Sequence, residues 1–140
     1  MLWLAIIISF LMSFAAKLLA DSFLAERFPV IGSFAGLQYA TNSGVAFSIT
    51  FPGHLQTVFI AIALIAIVWA ATKAKTTMSK IAFGLIVGGA FGNVADRLLD
   101  GVVTDFFQVG TFPIFNVADS CITIGVSLLL FEAVWQWWKR

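Results

Sequence analysis

The chain has one cysteine, Cys121, and one histidine, His54. A lone cysteine excludes an internal disulfide, and one cysteine with one histidine excludes an ordinary zinc site. Charge is scarce as well. Only 11% of the 140 residues are Asp, Glu, Lys or Arg, and the net charge is +1, where a soluble domain is roughly one-quarter charged. No basic patch with interleaved aromatics is present, which argues against nucleic acid as a partner. What the sequence does hold is apolar: 61% of it is hydrophobic. A soluble fold this short has too little interior to hide that much apolar surface. Lipid is the natural solvent for the chain.

Four apolar stretches, at about 2–20, 55–72, 81–99 and 114–138, approach the roughly 20 residues needed to cross the hydrocarbon core. The first reads as a retained membrane helix. No positive charge precedes it, and its apolar run is longer than that of a cleaved signal peptide. Lys17 near its end is expected to snorkel to the interface. Lys73, Lys75 and Lys80 crowd the loop between the second and third stretches, and Lys139 and Arg140 close the chain. With four spans both places lie on one side, and the positive-inside rule makes that side, and both termini, cytoplasmic. Trp135, Trp137 and Trp138 fit an aromatic belt there, and His54 reads as an interfacial residue at the other side.

Two segments then face outward. The longer, 21–53, carries Gly32, Gly36, Gly44, Pro29 and Pro52 among β-prone residues such as Phe34, Tyr39 and Val45. It predicts short strands or a small sheet lying on the membrane. The shorter runs from Asp100 to Pro113, with Pro113 suited to the first turn of the fourth helix. The expected fold is an all-α membrane protein: one domain over 1–140, four transmembrane helices and a small β-rich extracytoplasmic segment between helices one and two. Gly84, Gly88 and Gly92 repeat every four residues on the third helix, a small-residue face for close helix packing.

Charged residues inside a membrane are costly and are functional candidates by default. Asp96 and Arg97 lie near the outer end of the third helix, Asp105 in the following loop and Asp119 about two turns into the fourth helix, roughly 8 Å below its end at about 1.5 Å per residue. Asn93 precedes Asp96 by three positions and Asn116 precedes Asp119 by three, so each helix offers an Asn–Asp pair on one face. Asn42 lies in the first outer segment, so these polar groups converge on one depth. Asp96 with Arg97 is compatible with a plain interfacial ion pair, and Asp105 alone with an ordinary loop aspartate. Asp119 below the headgroups needs a partner or a proton. Two carboxylates brought together share a proton, so one can act as base on a water while the other protonates a carbonyl. Buried carboxylates also serve proton or cation paths, but those would spread through the membrane depth. Ser13 and Lys17, four apart on helix one, match a Ser–Lys dyad only at the level of chance.

Four blocks carry a family resemblance. Gly88-Gly89-Ala90-Phe91-Gly92-Asn93-Val94-Ala95-Asp96-Arg97 is similar to a GGAxGNxxDR block. Val103-Thr104-Asp105-Phe106 resembles V-x-D-F, Phe115-Asn116-Val117-Ala118-Asp119-Ser120 resembles F-N-x-A-D, and Asn42-Ser43-Gly44-Val45-Ala46-Phe47-Ser48 resembles N-x-G-x-A-F-S. In this order, in a four-span chain, they resemble the lipoprotein signal peptidases (signal peptidase II). The resemblance implies an aspartic endopeptidase of the bacterial cytoplasmic membrane, with its site near the outer face and neither cofactor nor metal. Asp105 and Asp119 match the catalytic pair, and Asn42, Gly44, Asn93, Asp96, Arg97 and Asn116 match supporting or substrate-contacting positions. The implied substrate is a diacylglyceryl-modified prolipoprotein cut on the amino side of its lipobox cysteine. Membrane lipids and globomycin-type inhibitors are the other expected partners, and a monomer is the expected state. The first outer segment would form a sheet-like cradle and a substrate-covering loop. One departure stands out: where the family usually has an aspartate four residues before the lysine of helix one, this chain has Ser13. The catalytic pair is intact, so an active enzyme is expected.

Overall fold

A computed structural model describes residues 1–44 and 55–139 of the chain. The readings placed above on 45–48, Pro52, His54 and Arg140 lie outside those residues. The described chain forms α1 (Leu2–Phe23), β1 (Phe28–Ile31), β2 (Ala35–Asn42), α2 (Leu55–Thr72), α3 (Thr77–Asp100), β3 (Val103–Val109) and α4 (Val117–Trp138). Among the described residues three helices, α1, α3 and α4, are long and apolar enough to cross a membrane, and Thr57–Thr72 adds a shorter apolar helix. Their outer faces are apolar, with residues such as Trp3, Leu11, Trp69 and Leu130 more than half exposed to the surroundings. That pattern matches a lipid-facing surface.

The central helix is α3, packed against α1 on one side and α4 on the other. Its glycines allow this, as the four-residue repeat predicts. A Cβ on Gly84 would lie 2.4 Å from Ala5 Cβ, one on Gly88 would lie 1.9 Å from Ser9 Oγ, and one on Gly92 would lie 2.8 Å from Ser13 Cβ. Small residues on both helices let the two backbones approach. On the α4 side, Gly89 meets the Ala118 carbonyl, where a Cβ would lie at 2.6 Å, and Gly125 of α4 meets the Ala82 carbonyl in the same way, also at 2.6 Å.

At one end, the Thr76 hydroxyl caps α3 by accepting from Ser79 N–H at 2.9 Å and also donates to Glu132 Oε1 at 2.5 Å. The basic α2–α3 connection and the last turns of α4 therefore share an end. Lys139 sits 4.8 Å from the Trp135 ring centre there, and Lys73 sits 5.8 Å from that of Trp69. Glu132 also accepts from Gln136 Nε2 at 3.2 Å.

At the other end lies a three-stranded antiparallel sheet, ordered β1-β2-β3. A small sheet was expected from the first outer segment alone. The second outer segment supplies its third strand, because Val103–Val109 pairs along β2 from Ala35↔Val109 to Asn42↔Val103. The α3–β3 connection is tight: Gly101 ends the helix at φ +77° and its N–H donates to the Arg97 carbonyl at 2.9 Å, a left-handed stop that favours glycine. Helix four also starts later than expected. It begins at Val117, capped by Asn116, and Pro113 stays outside it. The side chains of Asn116 and Asp119 bond each other's backbone N–H groups in a capping box, and that reciprocal pairing sets the start of the helix.

Candidate active site

The sheet end of the bundle brings Asp105 and Asp119 onto one polar network. Asp105 is 3% exposed and stands on β3 opposite Ala40. Asp119 is the third residue of α4, so it lies in the first turn, shallower than the two turns expected. Asn116 joins the two. Its Nδ2 donates to Asp105 Oδ1 at 2.8 Å and to Asn93 Oδ1 at 3.0 Å, while its Oδ1 accepts from Asp119 N–H at 2.9 Å. Asn93 Nδ2 then donates to Asp119 Oδ1 at 2.9 Å. Each carboxylate is thus oriented by an amide that is itself held by the other amide.

A cavity of about 670 Å³ opens beside the pair, edged by Asn42, Asn93, Arg97, Asp105 and Asp119, with apolar walls that include Ile60, Phe112, Ile114 and Ile122. Asp96 and Asn116 do not line it. A mostly apolar cleft with a few convergent polar groups is the usual form of a small-ligand or peptide site.

The expected Asn93–Asp96 face divides. Asn93 turns to α4, whereas Asp96 turns to α1 and β3, where its Oδ2 accepts from Thr104 N–H at 2.6 Å and its Oδ1 lies 3.5 Å from Lys17 Nζ. Residues three apart on a helix differ by about 60° in direction, enough here to serve different neighbours. Arg97 was read as the partner of Asp96 or as a supporting or substrate-contacting position. It edges the cavity, and its guanidinium donates from Nη2 to the Gly44 carbonyl at 2.6 Å and from Nη1 to the Asn93 carbonyl at 3.3 Å. Gly44 N–H in turn donates to Asn42 Oδ1 at 2.9 Å. Asn42 and Gly44 are thereby tied to α3.

Lys17 does not snorkel. It is buried and ion-paired with Asp21 at 2.5 Å, with Asp96 and with Asp100. Ser13, at the position of the family's aspartate, donates to the Ser9 carbonyl at 2.7 Å and contributes no charge to Lys17. The sequence reading missed Asp21, Asp100 and Thr104. The i,i+4 spacings of Lys17 with Asp21 and of Asp96 with Asp100 were visible, but their convergence required the α1–α3 packing. Among the described residues no cluster of His, Cys, Asp or Glu could hold a metal ion.

Burial pushes the Asp105 carboxyl up to about 6 and the Asp119 charge adds to the push, while hydrogen bonds from Asn42 and Asn116 and the Arg97 charge hold it back. A group whose pKa rises on folding favours the folded state while protonated. Its contribution is complete below the unfolded carboxylate value and is lost as pH rises through about 6. The thermal midpoint of the wild type is therefore expected to fall between pH 4 and 7 more steeply than that of Asp105→Asn. Parallel curves from melts across that range would contradict it.

The family model described as Signal peptidase (SPase) II matches residues 5–135. The chain belongs to the signal peptidase II family. It is 37% identical over 132 residues to the lipoprotein signal peptidase of Caldicellulosiruptor bescii, covering 92% of this chain and 87% of that one. It is 38% identical to that of Serratia proteamaculans, covering 94% and 84%, and 42% identical over 118 residues to that of Shouchella clausii, covering 81% and 78%. Two solved structures of bacterial membrane enzymes are similar in fold. One superposes with a TM-score of 0.83 at 31% identity, covering 94% of this chain and 85% of that one. The other gives 0.80 at 31% identity, covering 93% and 90%. Resemblance to the signal peptidase II family, drawn above from four short blocks, thus extends across nearly the whole chain.

Proposed function

We propose that the chain is an intramembrane aspartic endopeptidase that removes the signal peptide of diacylglyceryl-modified prolipoproteins, cutting on the amino side of the lipobox cysteine. The observation that carries this reading is the pair Asp105 and Asp119, joined through Asn116 and Asn93 at the edge of an apolar cavity. In the reactive state the pair holds one proton. The ionised carboxylate takes a proton from water as the water oxygen bonds the scissile carbonyl carbon, and the protonated carboxyl gives its proton to the carbonyl oxygen. The tetrahedral gem-diol then breaks its C–N bond: the carboxyl that took the water proton gives it to the departing nitrogen, and the other carboxylate takes a hydroxyl proton back from the diol as the new carbonyl forms. Which aspartate starts as base is a property of the coupled pair. No metal or cofactor is required.

In this reading α2 is the fourth span, both termini are cytoplasmic, and the sheet lies at the outer face of the bacterial cytoplasmic membrane. Diacylglycerol holds the substrate in the outer leaflet, so its peptide bond sits just below the surface. Asp119 in the first turn of α4 suits that shallow depth. The apolar cavity walls accept the signal-peptide segment, and a monomer contains every proposed residue.

The test is cleavage by the purified protein in nanodiscs, with diacylglyceryl-modified and unmodified forms of one prolipoprotein. Cleavage of the modified form alone, blocked by globomycin, is expected. Equal cleavage of the unmodified form, or none of either, overturns the proposal. Asn116→Ala removes both the α4 cap and the Asp105 bond. It is expected to cost about 1 kcal/mol of stability and on the order of a hundredfold in turnover through misplacement of the pair. Melting and single-turnover cleavage measure the two effects separately.

A further inference from the structure

The β2–β3 ladder holds one edge of β3 at Asp105, across a register irregularity. Its register is regular from Ala35↔Val109 to Leu37↔Phe107, then shifts before Ala40↔Asp105 and Thr41↔Thr104. Such irregularities loosen the ladder and re-aim side chains next to active sites. Among the described residues, the opposite edge of β3 is bridged farther along, at Phe107↔Phe115. On that edge the segment at Thr104 and Asp105 needs tethers other than a strand.

Thr104 supplies them. It is 2% exposed, and each of its polar groups is held by a different helix or helix cap. Its N–H donates to Asp96 Oδ2 of α3 at 2.6 Å, its hydroxyl to Asp21 Oδ1 of α1 at 3.2 Å, and its carbonyl accepts from Asn116 Nδ2 at 3.4 Å. Asp21 is fixed in turn by Lys17 Nζ at 2.5 Å and by the Tyr39 hydroxyl at 3.1 Å. Lys17 also pairs with Asp96, so one ammonium clamps both carboxylates that grip Thr104. Successive side chains of a strand point to opposite faces. With Thr104 anchored toward α1, Asp105 is turned the other way, toward the Asn116 amide.

We infer that Thr104 is a positioning residue, held through its hydroxyl by Asp21 and Lys17, which sets Asp105 against Asp119. This rests on the peptidase reading and extends it to α1, a helix that contributes no catalytic residue. A misplacement of about 1 Å in a catalytic constellation costs on the order of a hundredfold in rate, so the hydroxyl tether is expected to act on turnover and to leave substrate binding unchanged.

Thr104→Val removes the hydroxyl and keeps the shape; Thr104→Ser keeps the hydroxyl. In the nanodisc assay, Thr104→Val is expected to lower kcat by roughly tenfold to a hundredfold with KM unchanged, and Thr104→Ser to restore most of the loss. Asp21→Ala should lower kcat similarly, and the double variant Asp21→Ala, Thr104→Val should be no slower than the slower single one, because both remove one contact. Wild-type kcat in Thr104→Val, a rise in KM alone, multiplying losses in the double variant, or a loss matched by a fall in folded protein on melting each overturns the inference. The wild type and Asp105→Asn run alongside. If the wild type cleaves and Asp105→Asn does not, such a result removes only the role of Thr104. A wild type that cleaves nothing removes the peptidase reading and this inference with it.

Discussion

Asp105→Asn and Asp119→Asn are each expected to abolish prolipoprotein cleavage, by about 10⁴-fold or more, the scale seen when one member of a catalytic unit that acts together is removed. An asparagine keeps the size and the acceptor oxygen of the aspartate, so the Asn116 Nδ2 donation at 105 and the Asn93 Nδ2 donation at 119 can persist. What disappears is the capacity to take or give a proton, and at 119 also one of the two acceptors that face Asn93 Nδ2 and the Asn116 N–H. A pair that must present one ionised and one protonated carboxyl in the same turnover cannot work with either member neutral and untitratable. The folded state should survive. Asp105→Asn also removes a carboxylate held in the ionised form against its own burial, so it is expected to melt higher than the wild type at pH 7 and above. Turnover within tenfold of wild type in either variant would defeat the acid–base pair, and a variant that failed to fold would defeat the claim that these carboxylates serve chemistry and not architecture.

The second large effect is expected far from the proposed chemistry. Gly88→Val should leave little folded protein. A Cβ there would fall 1.9 Å from Ser9 Oγ, 2.4 Å from the Ile6 carbonyl and 3.1 Å from Phe10 N. Two of these three atoms belong to the backbone of α1, which cannot rotate away, so α1 must separate from α3. Overpacking of a close-packed interface costs about 1–3 kcal/mol and more where no side chain can yield. Separation would also pull Lys17 and Asp21 from Asp96 and Thr104. Gly101→Ala is the contrast: its φ of +77° carries the left-handed strain, but nothing lies within 4 Å of the added carbon, so a cost of about 1 kcal/mol is expected. The yield of monodisperse protein in detergent and its thermal midpoint compare the two. Equal behaviour of Gly88→Val and Gly101→Ala would show that the α1–α3 interface is looser than the geometry requires.

The sequence by itself determined the solvent, the long apolar helices, the glycine face of α3 and the identity of the polar residues at one end. Those follow from composition and short-range spacing, which the chain carries residue by residue. Its spacing arguments were weaker wherever a side chain has a choice of neighbours. Asn93 and Asp96 share a helix turn yet face different helices, and Asn116 and Asp119 pair as a cap because the backbone N–H groups at the start of α4 need acceptors. Lys17 lies in an apolar run and reads as a residue reaching for the interface. Only the approach of α1 to α3 across Gly84, Gly88 and Gly92 brings Asp96 and Asp100 to it. The third strand, the shallow place of Asp119 and the three-way grip on Thr104 were likewise decided by tertiary structure. Each depends on groups far apart in sequence, and desolvation makes their mutual satisfaction obligatory once they are buried together.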